Sequence, residues 1–75
     1  MTKEEFRKAV LDKVSLYREQ HPQWRYGQTV FNVLDIECNV ARYLQFEHKI
    51  DCFYCDELVD AFIDKAYEVL YNNQN

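Results

Sequence analysis

A chain of 75 residues with a single glycine and a single proline has few places at which it can turn sharply. Its regular elements must be long and its connections few, and with 48% of the residues hydrophobic the natural solution is a set of helices. One domain of this length hides only about 60% of the surface that its unfolded form exposes, so the core is thin. Five Phe, six Tyr and one Trp supply the compensation, since each large ring removes roughly 150 to 250 Å² from water.

The pattern along the chain predicts where those helices lie. Thr2 followed by Glu5 fits a capping box, which starts a first helix that Pro22 ends near Gln20. Within it Phe6, Val10, Val14 and Tyr17, flanked by Ala9 and Lys13, recur at the spacing of one buried stripe, opposite Glu4, Lys8, Asp12 and Glu19. Pro22 also suits the first turn of a second helix, expected from about Gln23 to Cys38 with Val30, Phe31, Leu34 and Cys38 inward. Asn39 either breaks and recaps the chain into a short extra helix through Phe46 or is passed over by one continuous helix. Residues 48 to 55 read as an irregular connection, and Asp56 as the cap of a last helix carrying Leu58, Val59, Phe62, Ile63, Ala66, Val69 and Leu70. The tail from Asn72 to Asn75 is expected to fray. The fold class is thus all-α: one domain over residues 1 to 75, with three main helices around Phe6, Val10, Val14, Phe31, Leu34, Leu44, Phe62, Ile63, Ala66 and Leu70.

One stretch exceeds what helix packing requires. The run His21 to Asn32 gathers the only Pro, Gly and Trp, and it places Arg25, Gln28 and Asn32 on one stripe of the second helix at i, i+3 and i+7. Gly27 costs about 1 kcal/mol against Ala inside a helix, so a close backbone approach is the natural reason for it. The stripe offers donors to an irregular segment and its orphan carbonyls, and it is expected to hold the 48 to 55 connection, with Arg25 contacting Asp51. An alternative use of the same run is an exposed recognition patch of Trp24, Arg25, Tyr26 and Gln28, because Trp, Tyr and Arg are the usual anchors of interfaces.

The pattern Arg25-x-Gly27-Gln28-x-x-Phe31-Asn32-x-Leu34, followed about twenty residues later by Asp51-x-Phe53-Tyr54-x-Asp56, resembles that of small uncharacterised proteins of bacteriophages and prophages. The resemblance covers roughly residues 20 to 70 and carries no established activity. Such proteins often have Pro where this chain has Cys52, which makes the Cys52-x-x-Cys55 pair an overlay on the shared pattern.

Candidate chemistry is sparse. Cys52 and Cys55, with His48 and Cys38, have a spacing that permits a tetrahedral zinc site, so a zinc-stabilised structural module is the alternative from a different class. No other zinc-finger or ribbon pattern accompanies them, and free Cys is commonly a small buried hydrophobe. A thioredoxin-type pair would need a sheet that this chain lacks. His21 and His48 have no nucleophile matched to them, and Ser15 has no base, so no catalytic residue and no cofactor is assigned.

The formal charge of -4 is unevenly spread: residues 1 to 46 hold seven basic and six acidic side chains, residues 47 to 75 two basic and seven acidic. An acidic chain repels phosphate backbones, which disfavours a nucleic-acid role through Arg18, Arg25, Arg42 and Lys49. Glu57, Asp60, Asp64 and Glu68 fall at i, i+3, i+7 and i+11, an acidic stripe able to steer a basic surface. There is no apolar run of about 18 residues and no leading apolar stretch, so neither a membrane span nor a secretory signal is expected. With an odd number of cysteines, this points to the cytoplasm of a bacterial or phage-infected cell. The function expected is non-catalytic binding of another protein, one with a basic surface if the stripe is used, and a homodimer would be a way to cover exposed aromatic area.

Overall fold

The computed structural model describes residues 1–72, and among them the fold is all-α. Helix α1 spans Lys3–Gln20, α2 Tyr26–Ile36, α3 Ala41–Glu47 and α4 Val59–Tyr67. A 3-10 turn, Asp56–Leu58, leads into α4, and a π-helical turn, Glu68–Asn72, extends it. Of the tail expected to fray, Asn72 to Asn75, Asn72 ends the π-helical turn and 73 to 75 lie outside the described residues.

Helix α1 begins as its sequence requires. The Thr2 hydroxyl accepts from the Glu5 amide at 3.1 Å and the Glu5 carboxylate accepts from the Thr2 amide at 2.8 Å. The Thr2 amide, and after it the Thr2 hydroxyl, lower the Glu5 carboxyl from its ordinary value. Phe6, Val10 and Val14 are buried, Tyr17 is half-buried and Ala9 is exposed, so the stripe is narrower than its spacing suggested.

Pro22 does not open α2. Residues 21 to 25 form a separate turn, closed by the Trp24 amide donating to the His21 carbonyl at 3.0 Å, and Arg25 is the extended N-cap at ψ 164°. Helix α2 is the central element, packed on by α1, α3 and α4. It therefore buries Gly27, Thr29, Val30, Phe31, Val33 and Leu34, more than the single stripe that periodicity alone yields, while Cys38 beyond its end stays half-buried.

The chain breaks after α2. Asn39 takes a left-handed φ of 55°, and Val40 donates back to the Leu34 carbonyl at 3.2 Å. Helix α3 ends with the same device: Lys49 has φ 58° and Ile50 donates back to the Leu44 carbonyl at 3.2 Å. The first closure satisfies the Leu34 carbonyl in the last turn of α2, whereas the Leu44 carbonyl accepts from the His48 amide at 3.1 Å as well as from Ile50.

Helices α1 and α4 run antiparallel, since Arg7 pairs with Asp60, Lys3 with Asp64 at 3.8 Å, and the Tyr67 hydroxyl donates to the Met1 carbonyl at 2.9 Å. Phe31 links the layers, stacked on Phe62 at 5.7 Å and edge-on to Phe53 at 5.5 Å. The buried cluster contains every expected core residue except Leu70, which is half-buried, and adds Val30, Val33, Val40, Ala41, Cys52 and Val59.

Candidate functional site

The sequence motif assembles where the first turn of α2 meets the loop from Asp51 to Asp56. A helix N-terminus leaves its first amides without intrahelical partners, and an N-cap side chain usually accepts one of them. Arg25 cannot do this, because a guanidinium has no acceptor. Only the returning half of a capping box forms, with the Arg25 amide donating to Gln28 Oε1 at 3.3 Å. The missing acceptor comes from 29 residues away: the Gly27 amide donates to Asp56 Oδ1 at 2.8 Å. Asp56 thus caps α2, not the last helix as its position suggested; that helix starts from Leu58 with no side-chain cap.

Gly27 is fixed by sterics as well. A Cβ placed there would sit 2.1 Å from the Cys52 carbonyl oxygen and 2.8 Å from Asp56 Oδ1. The Cys52 thiol donates in the other direction, to the Gly27 carbonyl at 3.3 Å. Cys52 is 0% exposed, and burial followed by the Asp51 charge pushes its thiol up to about 12. Helix and loop therefore grip each other through backbone groups.

The loop is also braced internally. Asp51 Oδ1 accepts from the Phe53 amide at 2.8 Å, an Asx-type turn, and Asp51 Oδ2 accepts from Gln45 Nε2 at 2.6 Å. The Cys55 amide donates to the Cys52 carbonyl at 3.2 Å, closing a β-turn with Phe53 and Tyr54 at its centre. Arg25 does not meet Asp51; its guanidinium donates to the Phe53 carbonyl at 3.3 Å. Gln28 turns back on its own helix, and among the described residues Asn32 makes no hydrogen bond to the loop. The stripe expected to hold the loop reduces to Arg25, aided by the glycine beside it and by Asp56.

Of the four residues of the recognition patch, Arg25 alone is exposed. Trp24 is half-buried and stacked on His21 at 3.8 Å, and half-buried Tyr26 lies beneath Arg18 at 5.7 Å. Tyr54 takes the place they leave. It is 80% exposed, yet its ring packs against Phe53 at 4.8 Å and under the Arg25 guanidinium at 5.2 Å. The signal for it was present as the Phe53-Tyr54 doublet: neighbouring rings at the tip of a turn cannot both enter the core.

The acidic stripe is partly matched within the molecule. Asp60 and Asp64 face Arg7 and Lys3 of α1, Glu68 pairs with Lys65 at 3.4 Å, and Glu57 lies 4.0 Å from the Cys55 sulfur. Three of the four cations considered for nucleic acid are likewise engaged, Arg18 on Tyr26, Arg25 on Phe53 and Tyr54, and Arg42 with Asp35.

Cys38, His48, Cys52 and Cys55 do not converge, and no group of three or more metal-ligating side chains forms among the described residues. The Cys52 sulfur is committed to Gly27, and Cys38 is pushed up by burial and by Glu37, the opposite of what a thiolate ligand or nucleophile needs. His48 Nε2 is buried without a hydrogen-bond partner, and its ring stands edge-on to Tyr43 at 5.3 Å. No described helix is long and apolar enough to cross a membrane.

No family model matches the chain, and neither a curated protein nor a solved structure matches it significantly.

Proposed function

We propose that this chain is a non-catalytic protein-binding domain whose contact surface is the turn at Phe53 and Tyr54 together with Arg25. One observation carries the reading: Tyr54 is 80% exposed while held between Phe53 and the Arg25 cation. A large ring fixed in advance loses little entropy when a partner closes over it, and Tyr and Arg are the residues on which interface energy concentrates. The loop sits in the acidic part of the chain, with Asp56 at its end and Glu57 just beyond it both exposed, which favours a partner presenting basic side chains. The likeness to phage and prophage proteins supports a host protein as that partner, met in the bacterial cytoplasm.

The test is affinity capture from bacterial lysate with the folded chain and with Tyr54→Ala as parallel baits. Because the ring is outside the core, the variant should keep its thermal midpoint within a few degrees while the wild-type partner disappears from its eluate. A partner retained in full by Tyr54→Ala would contradict the assignment of this surface.

A further inference from the structure

Two of the three cysteines lie at the ends of the β-turn that carries Tyr54, and their environments differ. The Cys55 amide bonded to the Cys52 carbonyl at 3.2 Å brings the two Cα atoms within the limit of about 7 Å that defines a β-turn. A disulfide spans Cα separations of about 4.4 to 6.8 Å, so the backbone already has a compatible reach. The sulfurs do not point at each other. Cys52 is wholly buried with its thiol on the Gly27 carbonyl at 3.3 Å, whereas half-buried Cys55 lies 4.0 Å from Glu57 Oε1.

We propose that Cys52 and Cys55 are a reversible disulfide site that closes only when the loop lifts off α2, so that oxidation holds the loop undocked. To reach Cys55 the Cys52 sulfur must leave Gly27. Local opening of the loop exposes it; redocking is then blocked because the sulfur is tied to the turn. The oxidant is a hydroperoxide or a small-molecule disulfide. With hydrogen peroxide, the Cys55 sulfur loses its proton to solvent and displaces hydroxide from the peroxide, becoming a sulfenic acid. The Cys52 sulfur then forms the S–S bond and releases that oxygen as water, carrying the Cys52 proton. Two thiols and one peroxide give one disulfide and two waters; the sulfurs lose the two electrons that the O–O bond accepts. Undocking removes Asp56 from the Gly27 amide and carries Tyr54 away from Arg25, so the redox state sets the geometry of the turn. The inference rests on the loop's contacts alone and holds whether or not Tyr54 meets a partner.

The test uses the full chain with Cys38→Ser, and the wild type with peptide mapping as a second sample in which Cys38 is untouched. Each is treated with hydrogen peroxide or oxidised glutathione, in water and across urea concentrations up to the unfolding midpoint. Expected are a mapped Cys52–Cys55 disulfide that forms faster as urea rises, a thermal midpoint lowered by roughly 5 to 10 °C, and Gly27 amide exchange accelerated at least tenfold. Dithiothreitol reverses all three, and Cys55→Ser under the same oxidant forms no disulfide and shows neither change. A Cys52–Cys55 disulfide that leaves Gly27 exchange and the midpoint unaltered would overturn the proposal. So would the absence of that disulfide at every urea concentration, or a Cys55 that remains as a mixed disulfide with glutathione.

Discussion

Two of the polar seams in this small bundle work by different physics. Between α1 and α4, Arg7, Lys3, Asp60 and Asp64 meet at the surface, the Asp60 side chain 76% exposed. Between α2 and the loop at 51 to 56, a glycine, a carbonyl, a thiol and a carboxylate meet with no room for one more carbon. The first seam is worth little per contact because water screens it and long side chains must be ordered to form it. The second depends on shape and on amides that have no other protein partner, so a single atom can break it. Burial, more than the count of charged groups, decides which polar residues specify the fold.

Gly27→Ala should have the largest effect on the second seam. Alanine would gain about 1 kcal/mol of helix propensity, but its Cβ would collide with the Cys52 carbonyl, an atom of the backbone that cannot swing aside. We expect a net loss of about 2 to 3 kcal/mol, read from urea unfolding with the slope unchanged. An unchanged or stabilised variant would mean that loop and helix are not in contact. Asp56→Ala should cost less, about 0.5 to 2 kcal/mol, the usual consequence of removing an N-cap acceptor, and Asp56→Asn should recover part of it.

A smaller effect sharpens the role of Cys52. Its thiol is pushed up to about 12 in the folded chain from an ordinary value of 9.0, so folding retains a proton that the unfolded chain releases. The contribution is whole below about pH 9 and is lost as the pH rises toward about 12. Urea midpoints measured upward from pH 8 should fall more steeply for the wild type than for Cys52→Ala; parallel curves would place the thiol in water. The smallest effect belongs to the outer seam. Asp60→Asn with Asp64→Asn should change stability by no more than about 1 kcal/mol, and less again in high salt.

Much of the scaffold was legible in the residues. Thr2 and Glu5 announce the start of α1, Phe62, Ile63 and Ala66 mark the buried side of α4, and Gly27 signals a close approach before its neighbour is known. These features rest on local chemistry within a few residues. The interlock does not: Asp56 reads as the cap of the helix it precedes, because nothing nearby states that an arginine at the start of α2 lacks an acceptor. Arg25 reads as the partner of Asp51, yet Asp51 is satisfied by Gln45 and by the Phe53 amide, which leaves the guanidinium to a carbonyl and a ring. The acidic stripe is visible as spacing, whereas its pairing with α1 depends on the packing direction of two helices that periodicity does not fix. The spacing of Cys52 permits a metal although a free Cys is commonly a small buried hydrophobe, and its position against Gly27 makes it a buried thiol.

Hydrogen exchange at the Gly27 amide reads the docking of the loop on α2 with the least ambiguity. As the second residue of α2, Gly27 has no amide partner within its own helix, so any protection must come from Asp56 across the loop. Slow exchange is expected in the wild type, on the scale of the buried middle of α2, and fast exchange in Asp56→Ala. Exchange in the wild type as rapid as at an unprotected helix start would show that the loop does not dock.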